Sequence, residues 1–219
     1  MLDFDKKAYH LFMATGSKQY LEFLLCAGCK QILISYAYPD VWAMKQFMKD
    51  CGVKLLCDSG AFTSWNLAMK KKSEGDPNWK NFLVDIHKYI AFVKEHEDVI
   101  WRAVNLDVIP GEQGREPGEE EINKAAQEGF DNLMIMKQHG INPIHVYHQG
   151  ENLKWLDKMV VEGGCDYIGV SPCNDYSTER KRNWLDQVFT YVCNNYPNLK
   201  THGFGVTSAQ LVKRYPWYS

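Results

Sequence analysis

Along this chain, short apolar segments alternate with longer stretches in which apolar residues recur every three or four positions. The short segments suit buried strands, and the longer stretches suit helices packed by one face. Strands are expected near 8–15 (AYHLFMAT), 31–37 (QILISYA), 53–58 (VKLLCD), 101–109 (WRAVNLDVI), 142–149 (NPIHVYHQ), 166–171 (DYIGVS) and 200–206 (KTHGFGV). Helices are expected near 18–28, 40–50, 119–138, 151–162, 180–194 and 208–215. The most regular helical face runs through Trp79, Phe82, Leu83, Ile86, Ile90 and Val93. No linker or low-complexity stretch interrupts this βα alternation, which predicts one α/β domain over residues 1–219.

Strand parity narrows the architecture. In a closed barrel one face of each strand meets the helices and the other meets the interior. Val104 and Leu106, Ile144 and Val146, and Ile168 and Val170 are the expected helix-facing sets. Their alternates are more polar: Asn105 and Asp107, Tyr147 and Gln149, Gly169 and Ser171. The same parity puts Asp58 with Leu56, so polar groups gather inside the barrel at the strands' C-terminal ends, where barrel enzymes keep their active sites. A doubly wound sheet also alternates strand and helix, but it usually carries an early glycine-rich phosphate turn, and Ala14-Thr15-Gly16-Ser17 is a poor version of one. The expected fold is a (β/α)8 TIM barrel with its final strand missing from this chain, because the pattern supplies about seven strands where the barrel needs eight.

Composition removes several function classes. With 45% hydrophobic and 24% charged residues the chain is an ordinary globular protein rather than a disordered one. A net charge of -2 excludes a globally basic nucleic-acid binder and leaves room only for local patches, such as Lys70-Lys71-Lys72 and Arg180-Lys181-Arg182. No apolar run approaches the roughly 20 residues of a membrane span, and the opening MLDFDKKAYH is charged where a signal peptide turns apolar. A cytoplasmic protein with no membrane partner is expected. Seven irregularly spaced cysteines then read as reduced thiols. Cys26-Ala-Gly-Cys29 lacks the second ligand pair of a zinc site and is expected to pack a helix end beside Gly28. His145 and His148, three apart on a strand, point to opposite faces, so no metal is expected there.

The apolar run VKLLCD ends on Asp58, and Ser59-Gly60 stops it, so an acidic side chain sits at a strand's C-terminal tip. A turn or helix-capping residue would sit there too. Several strand ends read together say more. Cys57-Asp58-Ser59-Gly60-Ala61-Phe62 resembles the Asp-Ser-Gly-Gly-Phe segment of the tRNA-guanine transglycosylase family, whose relatives insert 7-deazaguanines into DNA, with alanine replacing the second glycine. Asn105-Leu106-Asp107 is similar to its next aspartate strand, Val146-Tyr147-His148-Gln149-Gly150 to its Val-Gln-Gly strand, and Ile168-Gly169-Val170-Ser171 to its Gly-Gly-Leu loop. His202-Gly203-Phe204-Gly205-Val206 resembles the glycine-rich strand that follows. Order and spacing match from about residue 8 to the end.

The resemblance implies a (β/α)8 barrel that exchanges a guanine in a polynucleotide for a free 7-deazaguanine base such as preQ0 or preQ1. One aspartate attacks the sugar C1′ and expels the base, and the incoming base resolves the covalent glycosyl enzyme. An oxocarbenium-like centre needs a carboxylate below it and acid/base help at the departing purine. A purine edge needs a carboxylate that accepts from N1–H and the exocyclic amine. The resemblance accordingly makes Asp58 the acid/base group and Asp107 the acceptor for the purine edge. Gln149 binds the carbonyl side, Gly169 and Val170 offer backbone groups, and Ser59 orients the base or the acid. His202 and Gly205 are further site residues. Lys70, Lys71, Lys72, Arg180, Lys181 and Arg182 are the expected phosphate contacts for a flipped-base substrate.

The family's nucleophilic aspartate lies on the strand after the His-Gly-Phe-Gly segment, and this chain ends at Ser219 before that strand, so no nucleophile is named. Nothing matches the C-terminal zinc site of the tRNA enzymes, and no cofactor is expected. The absent zinc region and compact length resemble the DNA-modifying relatives, often phage-encoded, which ranks DNA before tRNA as partner and leaves a homodimer open. Two other readings stay open. One is a non-catalytic module binding 7-deazaguanine or nucleic acid, or one half of a split enzyme. The other is a metal-dependent barrel hydrolase with Asp58, Asp107 and His202 as ligands.

Overall fold

The computed structural model describes residues 10–112 and 114–219. The first two positions of the 8–15 strand and nearly all of the charged opening lie outside the described residues. Two compact units are present, one spanning Phe12–Pro143 and the other Ile144–Ser219 together with His10 and Leu11. Each is a parallel sheet with helices, so the chain is a mixed α/β protein. No helix among the described residues is long and apolar enough to cross a membrane.

In the first unit β1 (Met13–Thr15), β2 (Gln31–Ser35), β3 (Lys54–Asp58) and β4 (Ile100–Ala103) lie in sequence order, all parallel. Ser17 opens α1 (Lys18–Cys26) by accepting the Tyr20 amide, and Leu21, Leu24 and Leu25 bury its inner face. Gly28, at φ 81°, ends it, with the Gly28 and Cys29 amides returning to the carbonyls of Leu25 and Leu24. Cys29 is half-buried at that end and Cys26 is exposed; all seven cysteines are free thiols. The 40–50 helix resolves into α2 (Pro39–Trp42) and α3 (Lys45–Asp50). Residues after β3 form α4 (Ala61–Ser73), a helix whose amphipathic signal is weak because Phe62 and Leu67 are exposed.

The helical face from Trp79 to Val93 is not one helix. It is a 3-10 turn (Trp79–Phe82) and then α5 (Ile86–Glu95), divided at Asp85, whose carboxylate accepts the Lys88 amide at 2.9 Å and so starts a new helix. α6 (Glu119–Gln138) follows, with Glu121 reaching back to the Gly118 amide at 2.9 Å. Ile32, Ile34, Leu55, Cys57 and Ala103 from the sheet pack with Leu21, Trp42, Tyr89, Ile90 and Met136 from the helices as the core.

In the second unit β5 (His145–His148), β6 (Tyr167–Ser171) and β7 (Lys200–Gly203) are parallel, with α7 (Leu153–Val161), α8 (Thr178–Asn195) and α9 (Ala209–Arg214). Asp186 on α8 ties down the end of α9 by accepting from Arg214 at 2.8 and 2.9 Å and from the Tyr215 hydroxyl at 2.8 Å. Residues 218 and 219 then run beside β7. The Tyr218 and Ser219 amides donate to Thr201 O at 2.9 and 3.1 Å, and Gly203 donates to Ser219 O at 2.9 Å, which is the slanted bonding of a parallel pair. On the far side the His10 amide donates to Tyr218 O at 2.9 Å.

Two parity expectations are corrected. Leu55 pairs with Ile100 and Leu56 with Arg102, so Trp101 has no partner in β3 and bulges out. The bulge shifts β4 by one residue. Ala103 therefore takes the helix-facing place expected for Val104, and Asn105 donates to the Gly129 carbonyl of α6 at 2.8 Å instead of facing inward. β4 also stops at Ala103 rather than running to 109. In β5, Tyr147 is the helix-facing residue: its ring stacks on Trp184 of α8 and its hydroxyl donates to Glu151 O at 2.7 Å. Val146 lies opposite Gly169, on the other face. In β3 the expected parity holds, with Leu55 and Cys57 in the helix-side core and Leu56 outside it; in β6 Val170 pairs with the helix-facing Tyr147 and Gly169 with Val146.

Candidate active site

Asp58 closes β3 in register with Ser35. Its carbonyl accepts the Tyr36 amide at 2.8 Å, which fixes the backbone. Its carboxylate accepts the Gly60 amide at 3.0 Å, with the Ser35 hydroxyl and the Ser59 amide near enough to favour its charged form. Gly60 stands at φ 73°, and a Cβ there would lie 3.0 Å from both Ala37 Cβ and Ser35 Oγ, so the turn that presents its N–H to Asp58 requires glycine. The next position is already the first residue of α4, where Ala61 fits as a buried helical residue; this is why alanine is accepted there.

Burial pushes the Asp58 carboxyl up; the Gly60 hydrogen bond opposes this, the Asp107 carboxylate adds to it, and Ser35 and Ser59 oppose it again. The net direction is upward, which favours the protonated form. Asp107 is half-buried in the irregular segment after β4, near enough for its charge to act on Asp58 and on Tyr89. Ser59 is buried, and its hydroxyl accepts the Ala61 amide at 3.4 Å.

The second unit gathers the later motifs. Gln149 Oε1 accepts the Cys173 amide at 3.0 Å and its Nε2 reaches Arg180 O at 3.5 Å, joining the strand ends to the start of α8. Gly169 has no open side: a Cβ there would overlap the Phe204 ring. Val170 is fully buried, and its carbonyl accepts the Phe204 amide at 3.1 Å. His202 is buried with Nδ1 2.7 Å from Ser219 Oγ, a hydroxyl that also bonds the Tyr167 phenol. Burial pulls the His202 imidazole down to about 4, so it is neutral near pH 7. Gly205, at φ 65°, passes so close to Asn174 that a Cβ would lie 2.8 Å from its Oδ1.

The two basic clusters differ. Lys70, Lys71 and Lys72 form the last turn of α4, with Lys71 on Glu74 at 2.8 Å and Lys72 on Glu112 at 2.9 Å. Glu112 belongs to the segment after Asp107, so the lysine turn is tethered to that segment. Arg180, Lys181 and Arg182 occupy the first turns of α8; the Arg180 guanidinium lies 3.3 Å over the Tyr176 ring and Lys181 donates to Asn174 O at 3.0 Å.

Two residues near these motifs escaped the reading of the sequence. Tyr89 is fully buried and reaches the ends of β3 and β4; it lies three residues after Ile86 on the same helical face, and counting aliphatic positions passes over it. Phe62, immediately after the Asp58 turn, is 58% exposed and stacks on Trp65, an aromatic surface that its place in a motif did not reveal. Among the described residues no group of three or more His, Cys, Asp and Glu side chains could hold a metal ion, so the hydrolase reading finds no ligand set. No protein-family model matches the chain, and no curated protein matches it.

Proposed function

We propose that the chain is a (β/α)8-barrel transglycosylase that exchanges guanine in a polynucleotide, DNA before tRNA, for a free 7-deazaguanine. The observation that carries this reading is the raised carboxyl of Asp58, set on a glycine turn and influenced by a second carboxylate, Asp107. A carboxyl shifted toward its protonated form suits base exchange, which needs a proton delivered to the departing purine. Asp58 delivers its proton to the departing guanine, and as carboxylate it takes one back from the incoming base as that base's ring nitrogen bonds to C1′. Asp107 accepts from the N1–H and amine of the purine. The group that attacks C1′ is not assigned among the described residues.

The test is incorporation of a labelled 7-deazaguanine into duplex DNA and into tRNA, with calorimetry on the free base alongside. Incorporation that disappears in Asp58→Asn and Asp107→Asn is the expected result. Binding of the free base without exchange would replace the enzyme by a binding module. Neither binding nor exchange on either polymer ends both readings.

A further inference from the structure

The β3–β4 ladder stops where the two carboxylates leave it. Cys57 and Ala103 are the last partners in register, and Val104 N donates to Cys57 O at 2.8 Å. In a regular parallel ladder the next bond would run from the Ser59 amide to the Val104 carbonyl. The chain turns instead: Ser59 leaves the ladder, and the next amide, that of Gly60, donates to the Asp58 carboxylate at 3.0 Å. Val104 is buried, and its carbonyl takes the Tyr89 hydroxyl at 2.9 Å. That hydroxyl also lies 3.2 Å from Cys57 O and 3.9 Å from Cys57 Sγ. Tyr89 is itself fixed: it is fully buried on α5, with the Tyr36 ring edge-on at 5.3 Å.

We propose that Tyr89 is a positioning residue for Asp58 and Asp107: its hydroxyl takes the place of the Ser59 amide at the Val104 carbonyl, which lets the chain leave the ladder after Asp58 and bring the Gly60 amide onto the carboxylate. The arrangement stands on geometry, and its consequence for catalysis rests on the base-exchange reading above. A buried carbonyl needs a donor. Without the phenol, Val104 O draws the Ser59 amide into the ladder and pulls the turn that presents the Gly60 amide away from the Asp58 carboxylate. The titratable groups facing Asp58 are the Asp107 carboxyl, the Cys57 thiol and the Tyr89 phenol, and burial holds the last two in their neutral forms.

The experiment is a carbon-detected NMR titration of the side-chain carboxyls in the full chain, wild type against Tyr89→Phe. The Asp58 midpoint in the variant should move up by about half a pH unit or more, the direction for a carboxylate that loses a donor. The pH profile of exchange should shift with it, lowering kcat near neutrality while KM for the free base holds. A purely structural Tyr89 would lower the melting temperature and leave the midpoint in place, which overturns the proposal. The wild-type protein gives an arm that needs no variant: the Gly60 amide proton should titrate together with Asp58, and silence there also overturns the proposal. These titrations need no substrate, so a shifted midpoint in a protein without exchange activity sinks the reaction and spares Tyr89.

Discussion

Phe204 lies against Gly169 so closely that a methyl group on the glycine would overlap the ring edge and come within 3.1 Å of Val146 Cγ2. The Phe204 amide is bonded to Val170 O at 3.1 Å and its ring meets His202 edge-on at 4.4 Å, so it is held from three sides. The side of β6 on which the resemblance seats a purine is covered by an aromatic ring. Gly169→Ala should therefore cost about 1–3 kcal/mol, the usual penalty for overpacking. Adding Phe204→Leu should recover part of that loss. Chemical denaturation of the two single variants and the double variant tests this; independent, additive effects would show that the two positions do not touch.

Under the proposed base exchange, Asp58 links activity to stability. Burial, with Asp107 adding to it, holds its carboxyl above the ordinary value despite the Gly60 hydrogen bond. The folded chain thus binds this proton more readily than the unfolded chain, and stability from this group is lost as pH rises from about 4 through the folded titration. Asp58→Asn, which cannot ionise, should be more stable than wild type near pH 7 and lose that advantage near pH 3–4, while exchange falls by about 10²–10⁴-fold. Melting temperatures across pH, read beside the exchange assay, check both halves. A variant less stable than wild type at neutral pH would contradict the sign.

His202 has the opposite linkage. Its imidazole titrates near 4 when folded and near 6.5 when unfolded, so its contribution is complete above about pH 6.5 and is lost as pH falls through about 4. His202→Gln keeps a polar group for Ser219 without the titration. Its stability should fall less steeply than wild type between about pH 6.5 and 4. Parallel curves in urea unfolding at several pH values would rule this out.

Thr201 is buried in β7, and its hydroxyl has no hydrogen-bond partner among the described residues, while its carbonyl serves Tyr218 and Ser219. Valine has the same shape without the hydroxyl. Thr201→Val should leave the strand pairing intact and raise stability by about 1 kcal/mol, the lower range for removing an unsatisfied buried polar group. Thermal unfolding measures it, and a loss of stability would mean that the hydroxyl is satisfied after all.

Periodicity located the strands and most helices because each buries a face large enough to leave a pattern. Leu55 and Cys57, or Ile168 and Val170, can be read directly in this way. Asp58 was legible for the same reason, as a polar residue ending such a run. Other features were not. The break at Asp85 depends on a capping bond inside an otherwise continuous apolar face. Tyr147 faces the helices because Trp184, 37 residues later, offers a ring to stack on, which no local pattern records. Tyr89 matters through one hydroxyl, and hydropathy does not weigh a single hydroxyl.

The bulge at Trp101 is held in place: Lys54 Nζ lies 3.7 Å over the indole and Phe12 stacks on it at 5.7 Å. It works as a phase adjuster between the two aspartates. Leave one residue out at this point and everything after it in β4 changes face, Asn105 losing α6. Faces assigned across the sheet from β3 to β4 must therefore skip Trp101 before they reach Asn105.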